Sequence, residues 1–373
     1  MSRTFLTDLF SAAVDAVRGD AAIANFLEQS DMARPDRVLA VGKAAAAMFQ
    51  GLPTDWQETV PALIATKTDH LNGLRFGTNV QSIEAAHPVP NEASLRAGAM
   101  AVDFVRAAEA SDHLLVLVSG GASSVVEKLS SDLQLADLTA LTQQALSQGC
   151  DIATINARRK EVSEVKGGKL LAQFKGRKVS VLAISDVEGD SIHTIGSGIG
   201  ACPENYAFAY ACDLVATNEI AREAAVNLAV AQGRNVVRSQ ENLYLDVVEA
   251  AETVAQEVLN GAPGIYVFGG EPTVVLPENP GQGGRNQALA LELSKRFAGR
   301  ANIIGLVAGT DGTDGPTEAA GGFVDGEIYA DTNEADKALR DANSGSYLAK
   351  ADALFVTGPT GTNVMDLAII FKS

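Results

Sequence analysis

The sequence is short of the residues that most binding surfaces are built from. Aromatic residues make up 5% of the 373, with one tryptophan, so an aromatic-rich binding surface is not expected. The three cysteines, Cys150, Cys202 and Cys212, are scattered and odd in number. They form neither a disulfide framework nor a CxxC metal site, and a reducing cytoplasm is the expected compartment. Basic residues are outnumbered, 29 Lys and Arg against 46 Asp and Glu, for a net charge of −17. Such a field repels nucleic acid and anionic membrane, which bind through clustered Lys and Arg, so neither is an expected partner. No apolar run approaches the ~20 residues needed to span a bilayer. Asp8, Asp15 and Asp20 stand where a signal peptide would be basic. There are only four histidines, and no His, Cys or carboxylate cluster has zinc-ligand spacing. The phosphate loop G-x-x-x-x-G-K-[ST] is missing as well. Gly196-Ser197-Gly198-Ile199-Gly200-Ala201 matches G-x-G-x-x-A, but no apolar strand precedes it and Cys202-Pro203 interrupts any following helix. It reads as a substrate-side or structural loop.

Glycine, at 35 residues, and short apolar runs are what the chain does have. Its length suggests two domains, divided near residues 230–240 and assigned here as 1–235 and 236–373. Apolar spacing predicts a first helix ended by Gly19, then a strand over 37–41 that meets Gly42-Lys43 and an alanine-rich helix over 44–49. A strand over 62–65, a helix opening at Pro90-Asn91 and a strand over 114–118 closed by Ser119-Gly120-Gly121 follow. Helices are expected over 135–146 and 157–174, and a strand over 179–184 ends in Ser185-Asp186. Strands alternating with helices imply βαβ units and a parallel sheet, whose ligands lie beyond the carboxyl ends of the strands. The later half adds helices over 221–231, 247–259 and 288–297 and strands near 236, 265, 303 and 354, again ending in glycine-rich loops.

Each loop has a functional and a bland reading. Lys43 stands where a strand hands over to a helix, a place that favours an anion, but it is equally a plain helix-start lysine. Ser119, Gly120, Gly121 and Ser123 offer close backbone approach and hydroxyls, or simply a tight turn. The nucleophile elbow fails because Val125 replaces the last glycine. Asp186 is placed to bind Mg²⁺ or orient a hydroxyl. His87, in His87-Pro88-Val89-Pro90, is a turn histidine or a general base. Gly283, Gly284, Arg285 and Asn286 bring backbone and a guanidinium fork to a helix start, for a ligand or for an ion pair. Thr310, Asp311 and Asp314 fit a magnesium or ribose contact, or a simple turn, and do not fit an EF-hand.

Taken in order, Val41-Gly42-Lys43-Ala44, His87-Pro88-Val89-Pro90, Ser119-Gly120-Gly121-Ala122-Ser123, Ile184-Ser185-Asp186-Val187, Gly283-Gly284-Arg285-Asn286-Gln287 and 309–315 (GTDGTDG) resemble the class II glycerate 2-kinases, the MOFRL family. The resemblance runs from about residue 5 to 368. It implies an α/β protein of two domains, a Rossmann-like parallel-sheet domain and a smaller α/β domain, with the active site in the cleft between them. It implies ATP-dependent phosphorylation of D-glycerate to 2-phosphoglycerate with Mg²⁺, and a site lined by Lys43, Asp186 and Arg285. On that reading Asp186, Asp311 and Asp314 are the metal-ligand candidates, and a homodimer stays open. Gln287 departs from the family pattern, where an acidic residue is expected. Some members carry the name hydroxypyruvate reductase, which would need NAD(P)H and a fingerprint this sequence lacks. A non-catalytic anion-binding protein is the other alternative.

Overall fold

The computed structural model describes every residue except Met1, Asn72, Ser131 and 148–151. The chain forms two compact units, Arg18–Ala216 and a second made of Met1–Val17 with Thr217–Ser373. The first helix, α1 (Arg3–Val17), therefore belongs with the C-terminal half. The division drawn from the sequence at 235/236 falls inside the second unit, because α9 (Asn218–Ala231) packs on α1 and on the second sheet.

In Arg18–Ala216 six strands form one parallel sheet: β1 (Arg37–Val41), β2 (Ala62–Lys67), β3 (Val80–Ala85), β4 (His113–Val118), β5 (Lys178–Ile184) and β6 (Ala209–Ala216). Their order is β3-β2-β1-β4-β5-β6, with every pairing parallel. All six residues of β4 are buried, as a strand covered on both faces requires, and this explains its unbroken apolar run. Among the described residues seven α-helices accompany the sheet: α2 (Gly19–Gln29), α3 (Ala45–Gln50), α4 (Thr54–Thr59), α5 (Glu92–Arg106), α6 (Ala122–Val125), α7 (Leu135–Ser147) and α8 (Ile152–Val162). The start at Asn91 is borne out. Its side chain accepts from Ser94 N at 3.1 Å while Ser94 Oγ accepts from Asn91 N, a reciprocal cap. Two expectations need correction. Gly19 opens α2, since the first helix already ends at Val17. The helix expected over 157–174 stops at Val162: Ser163 forms an isolated β-bridge with Leu129, and Gly167 and Gly168 beyond it take left-handed φ of +61° and +80°.

The second unit holds β7 (Val236–Glu241), β8 (Gly264–Gly270), β9 (Ile303–Gly309), β10 (Gly321–Asp325), β11 (Leu354–Phe355) and β12 (Asp366–Lys372), in the order β11-β10-β9-β12-β8-β7. Only β7 and β8 run parallel; β12 lies antiparallel between β8 and β9. Its remaining helices are α10 (Val247–Asn260), α11 (Arg285–Arg296), α12 (Thr332–Arg340) and α13 (Ser344–Lys350). Leu6, Leu9, Phe10 and Ala13 of α1 are at most 1% exposed, and Phe10 meets Phe355 edge-on at 5.2 Å. Cys202 and Cys212 are free thiols, while Cys150 lies outside the described residues. Among the described residues no helix is long and apolar enough to cross a membrane.

Candidate active site

The strand order of the parallel sheet reverses between β1 and β4, and the crevice beyond their carboxyl ends is where such sheets take ligands. Two of the sequence-predicted loops meet there. Lys43 N donates to Gly120 O at 2.9 Å, and Ala44 N donates to Ser119 Oγ at 3.0 Å. Glycine is required at Gly42, whose φ is +116° and where a Cβ would fall 2.4 Å from Ser119 O. At Gly120 a Cβ would lie 1.8 Å from Asp186 Oδ2, a side-chain atom. The Asp186 carboxylate thus lies against the serine–glycine loop, and a Cβ on Gly121 would touch both Lys43 Cγ and His87 Cδ2. Lys43, Ser119, Gly120, Gly121, His87 and Asp186 are brought together from four loops of one unit.

Ser123 is turned to a different neighbour, its Oγ 2.8 Å from Ser197 Oγ. Ser197 sits in the G-x-G-x-x-A stretch, which is a buried turn with left-handed φ at Gly196, Ser197 and Gly198 rather than a strand-to-helix phosphate loop. The fingerprint reading is therefore excluded on geometry as well as on context, although the sheet itself has the order of the dinucleotide-binding fold.

The other motif group lies in the second unit. Gly284 precedes α11, and Asp314 caps that helix by accepting from Asn286 N at 3.1 Å and Gln287 N at 2.8 Å. Gln287 Nε2 also donates to Asp314 Oδ2 at 3.0 Å, which explains the departure noted in the motif. An acidic residue there would face the Asp314 carboxylate. Burial pushes the Asp314 carboxyl up to about 6, and the two backbone N–H groups only partly offset it. With 3% exposure and both oxygens engaged, Asp314 fixes α11 and does not fit a metal ligand. Thr310 is buried too, donating to Met365 O at 2.6 Å and accepting from Val364 N at 2.8 Å, so it ties β9 to the segment before β12. Asp311 is half-buried, with Oδ1 taken by Thr313 N and Oγ1.

Arg285 is held by Asp366, with Nε at 2.6 Å and Nη2 at 3.3 Å, and by Glu271 at 2.7 Å from Nη1. Burial lowers its pKa, but the Asp366 charge and hydrogen bonds, with Glu271, outweigh that and raise it. Asn286 Nδ2 joins the same Asp366 at 2.9 Å. Asp366 is the residue sequence reasoning missed, because it opens β12, a strand masked by the glycine–threonine loop before it. A cavity of about 420 Å³ adjoins Gly283 and Gly284, walled by Val247, Val274, Leu276 and Leu339.

Sequence reasoning also passed over the basic stretch that ends α8. Lys166 and Glu127, at 1% and 0% exposure, form a buried ion pair, and Ser163 Oγ donates to Glu127 Oε1 at 2.6 Å. Arg159 lies near them, its Nη2 3.5 Å from Ser123 O. Three basic residues in a row at 158–160 in so acidic a chain were the available signal. Among the described residues no three His, Cys, Asp or Glu side chains group as metal ligands.

A family model described as a domain of unknown function, DUF4147, matches residues 5–231, and one described as the MOFRL family matches residues 264–366. The chain is similar to a glycerate 2-kinase of Pyrococcus horikoshii, 32% identical over 89% of this chain and 86% of that one. It is also 32% identical to a D-glycerate 2-kinase of Thermotoga maritima, over 97% of this chain and 96% of its relative. The crystal structure of a glycerate kinase from Thermotoga maritima matches with a TM-score of 0.85 at 30% identity, covering 99% of both chains.

Proposed function

The chain belongs to the DUF4147–MOFRL family of glycerate 2-kinases, and on that premise we propose that it transfers the γ-phosphoryl group of ATP to the 2-hydroxyl of D-glycerate. The observation that carries this reading is Lys43 at the switch point of a Rossmann-ordered sheet, facing a serine–glycine loop against which Asp186 is packed. Phosphoryl transfer asks the protein for positioning and for charge opposite the phosphoryl oxygens more than for covalent chemistry. Lys43 or Arg285 is assigned to that charge. Asp186 is assigned to the acceptor hydroxyl or to Mg²⁺, with Asp311 the alternative carboxylate for the metal; when bound, Mg²⁺ supplies charge neutralisation of the nucleotide phosphates. Gly283, Gly284 and Asn286 shape the backbone beside the apolar cavity, which suits the nucleotide's base.

Hydroxypyruvate reduction is the competing reading, and the lack of a G-x-G-x-x-G dinucleotide fingerprint after β1 counts against it. Incubation with ATP, Mg²⁺ and D-glycerate should form ADP and 2-phosphoglycerate in equal amounts. NAD(P)H oxidation with hydroxypyruvate, without ADP formation, would replace the kinase reading with the reductase.

A further inference from the structure

Behind the serine–glycine loop of Arg18–Ala216 the charges do not balance. Lys166 and Glu127 neutralise each other, and the second Glu127 oxygen is taken by Ser163. Arg159 is left over. It is half-buried, its Nε is shielded from water, and that Nε has no hydrogen-bond partner among the described residues. Toward the loop, its Nη2 approaches Ser123 O at 3.5 Å. Burial lowers its pKa, and the charge opposing that among the described residues is Glu127, which is already paired. The neighbouring Lys160 is occupied with His193 O at 2.8 Å. Two cations therefore share one anion in a partly dry site, within a chain whose net charge is −17. An uncompensated buried cation is costly unless an anion completes it. The guanidinium fork fits a planar carboxylate through two parallel hydrogen bonds, a match that ammonium cannot make.

We propose that Arg159, at the Ser123 carbonyl, forms the subsite for the carboxylate of the hydroxy-acid substrate. This rests on the kinase reading above and adds to it which cation grips the acceptor, leaving Lys43, in the loop after β1, for the phosphoryl group. Both Ser123 and Arg159 are half-buried, so the subsite is reachable from solvent.

The test uses the full chain and calorimetric binding of D-glycerate without nucleotide, alongside KM for glycerate and for ATP. Arg159→Gln should weaken D-glycerate binding and raise its KM by roughly 10²-fold, with KM for ATP changed less than about threefold. Arg159→Lys, which keeps the charge and loses the fork, should lie between, and it carries the test if the glutamine variant does not fold. D-glyceramide, which lacks the carboxylate charge, should bind wild type and variant alike. A raised KM for ATP with glycerate unaffected would move Arg159 to a nucleotide phosphate, and unchanged constants would make it structural; either result overturns the proposal. If wild type binds D-glycerate and Arg159→Gln does not, yet no phosphate is transferred, the subsite stands and the kinase reading falls.

Discussion

Arg285 and Lys43 are the alternative cations for the phosphoryl group, and their surroundings differ. Arg285 is locked by the Asp366 fork and by Glu271, whereas Lys43 rides on a loop fixed through its backbone to Gly120. Replacing either by alanine should leave a folded protein with kcat/KM lower by about 10²-fold or more, roughly 3 kcal/mol at the transition state. Near-normal steady-state rates for both variants would remove them from the site. His113, at the start of β4, gives a prediction of another kind. It is fully buried, with Nε2 2.9 Å from Ser180 Oγ, and burial with Lys178 and Arg177 lowers its pKa from 6.5 to about 4. Between those values the unfolded chain binds the extra proton, so stability falls as pH drops through that window. The loss at the acid end is at most ~3 kcal/mol, and His113→Gln should flatten it in urea titrations at pH 7 and 4.5.

At the level of elements, α11 shows how a loop motif can mislead. Gly284 offers no capping side chain, and Asp314 reaches in from another loop to do that work, which leaves no room for a Cβ on Gly284 (2.2 Å from Asp314 Oδ1). Asp314→Ala should destabilise the protein by about 1–3 kcal/mol, while Asp314→Asn, which keeps one acceptor, costs less. Thermal unfolding of the pair measures the difference. The sequence marked Asp314 because it stands in a glycine loop; only the fold reveals that its oxygens are spent on backbone N–H groups. The loop after β4 works the other way. Gly120→Ala would push a flexible carboxylate aside rather than a backbone, so kcat/KM should fall at least about tenfold with Tm nearly unchanged. Full activity in that variant would separate Asp186 from the chemistry.

For the whole molecule, continuity along the chain and compactness in space divide the residues differently. The DUF4147 match runs over 5–231, but α1 and α9 pack on the second sheet. Phe10 is 1% exposed against Phe355, and Phe10→Ala should cost about 3–5 kcal/mol. Hydrogen exchange should show that loss in the β9, β11 and β12 amides and leave the β1 and β4 amides as protected as before. Equal loss in both sheets would mean that the two units unfold together.

Composition, period and turn chemistry determined much of this. The apolar runs of β1, β4, β5, β8 and β9 are legible because buried strands need no polar alternation, and the cap at Asn91 is legible because capping is local. The ordered loop motifs were enough to indicate a glycerate kinase. The tertiary structure decided the rest. The strands β3, β6, β10 and β12 are short, polar at an edge, or opened by glycine or a single acid, and their pairing comes from distant neighbours. The partners of Arg285, the cap on α11 and the surplus charge of Arg159 arise between residues dozens of positions apart. No local pattern records them, since a charge is paired or left over only once the chain has folded around it.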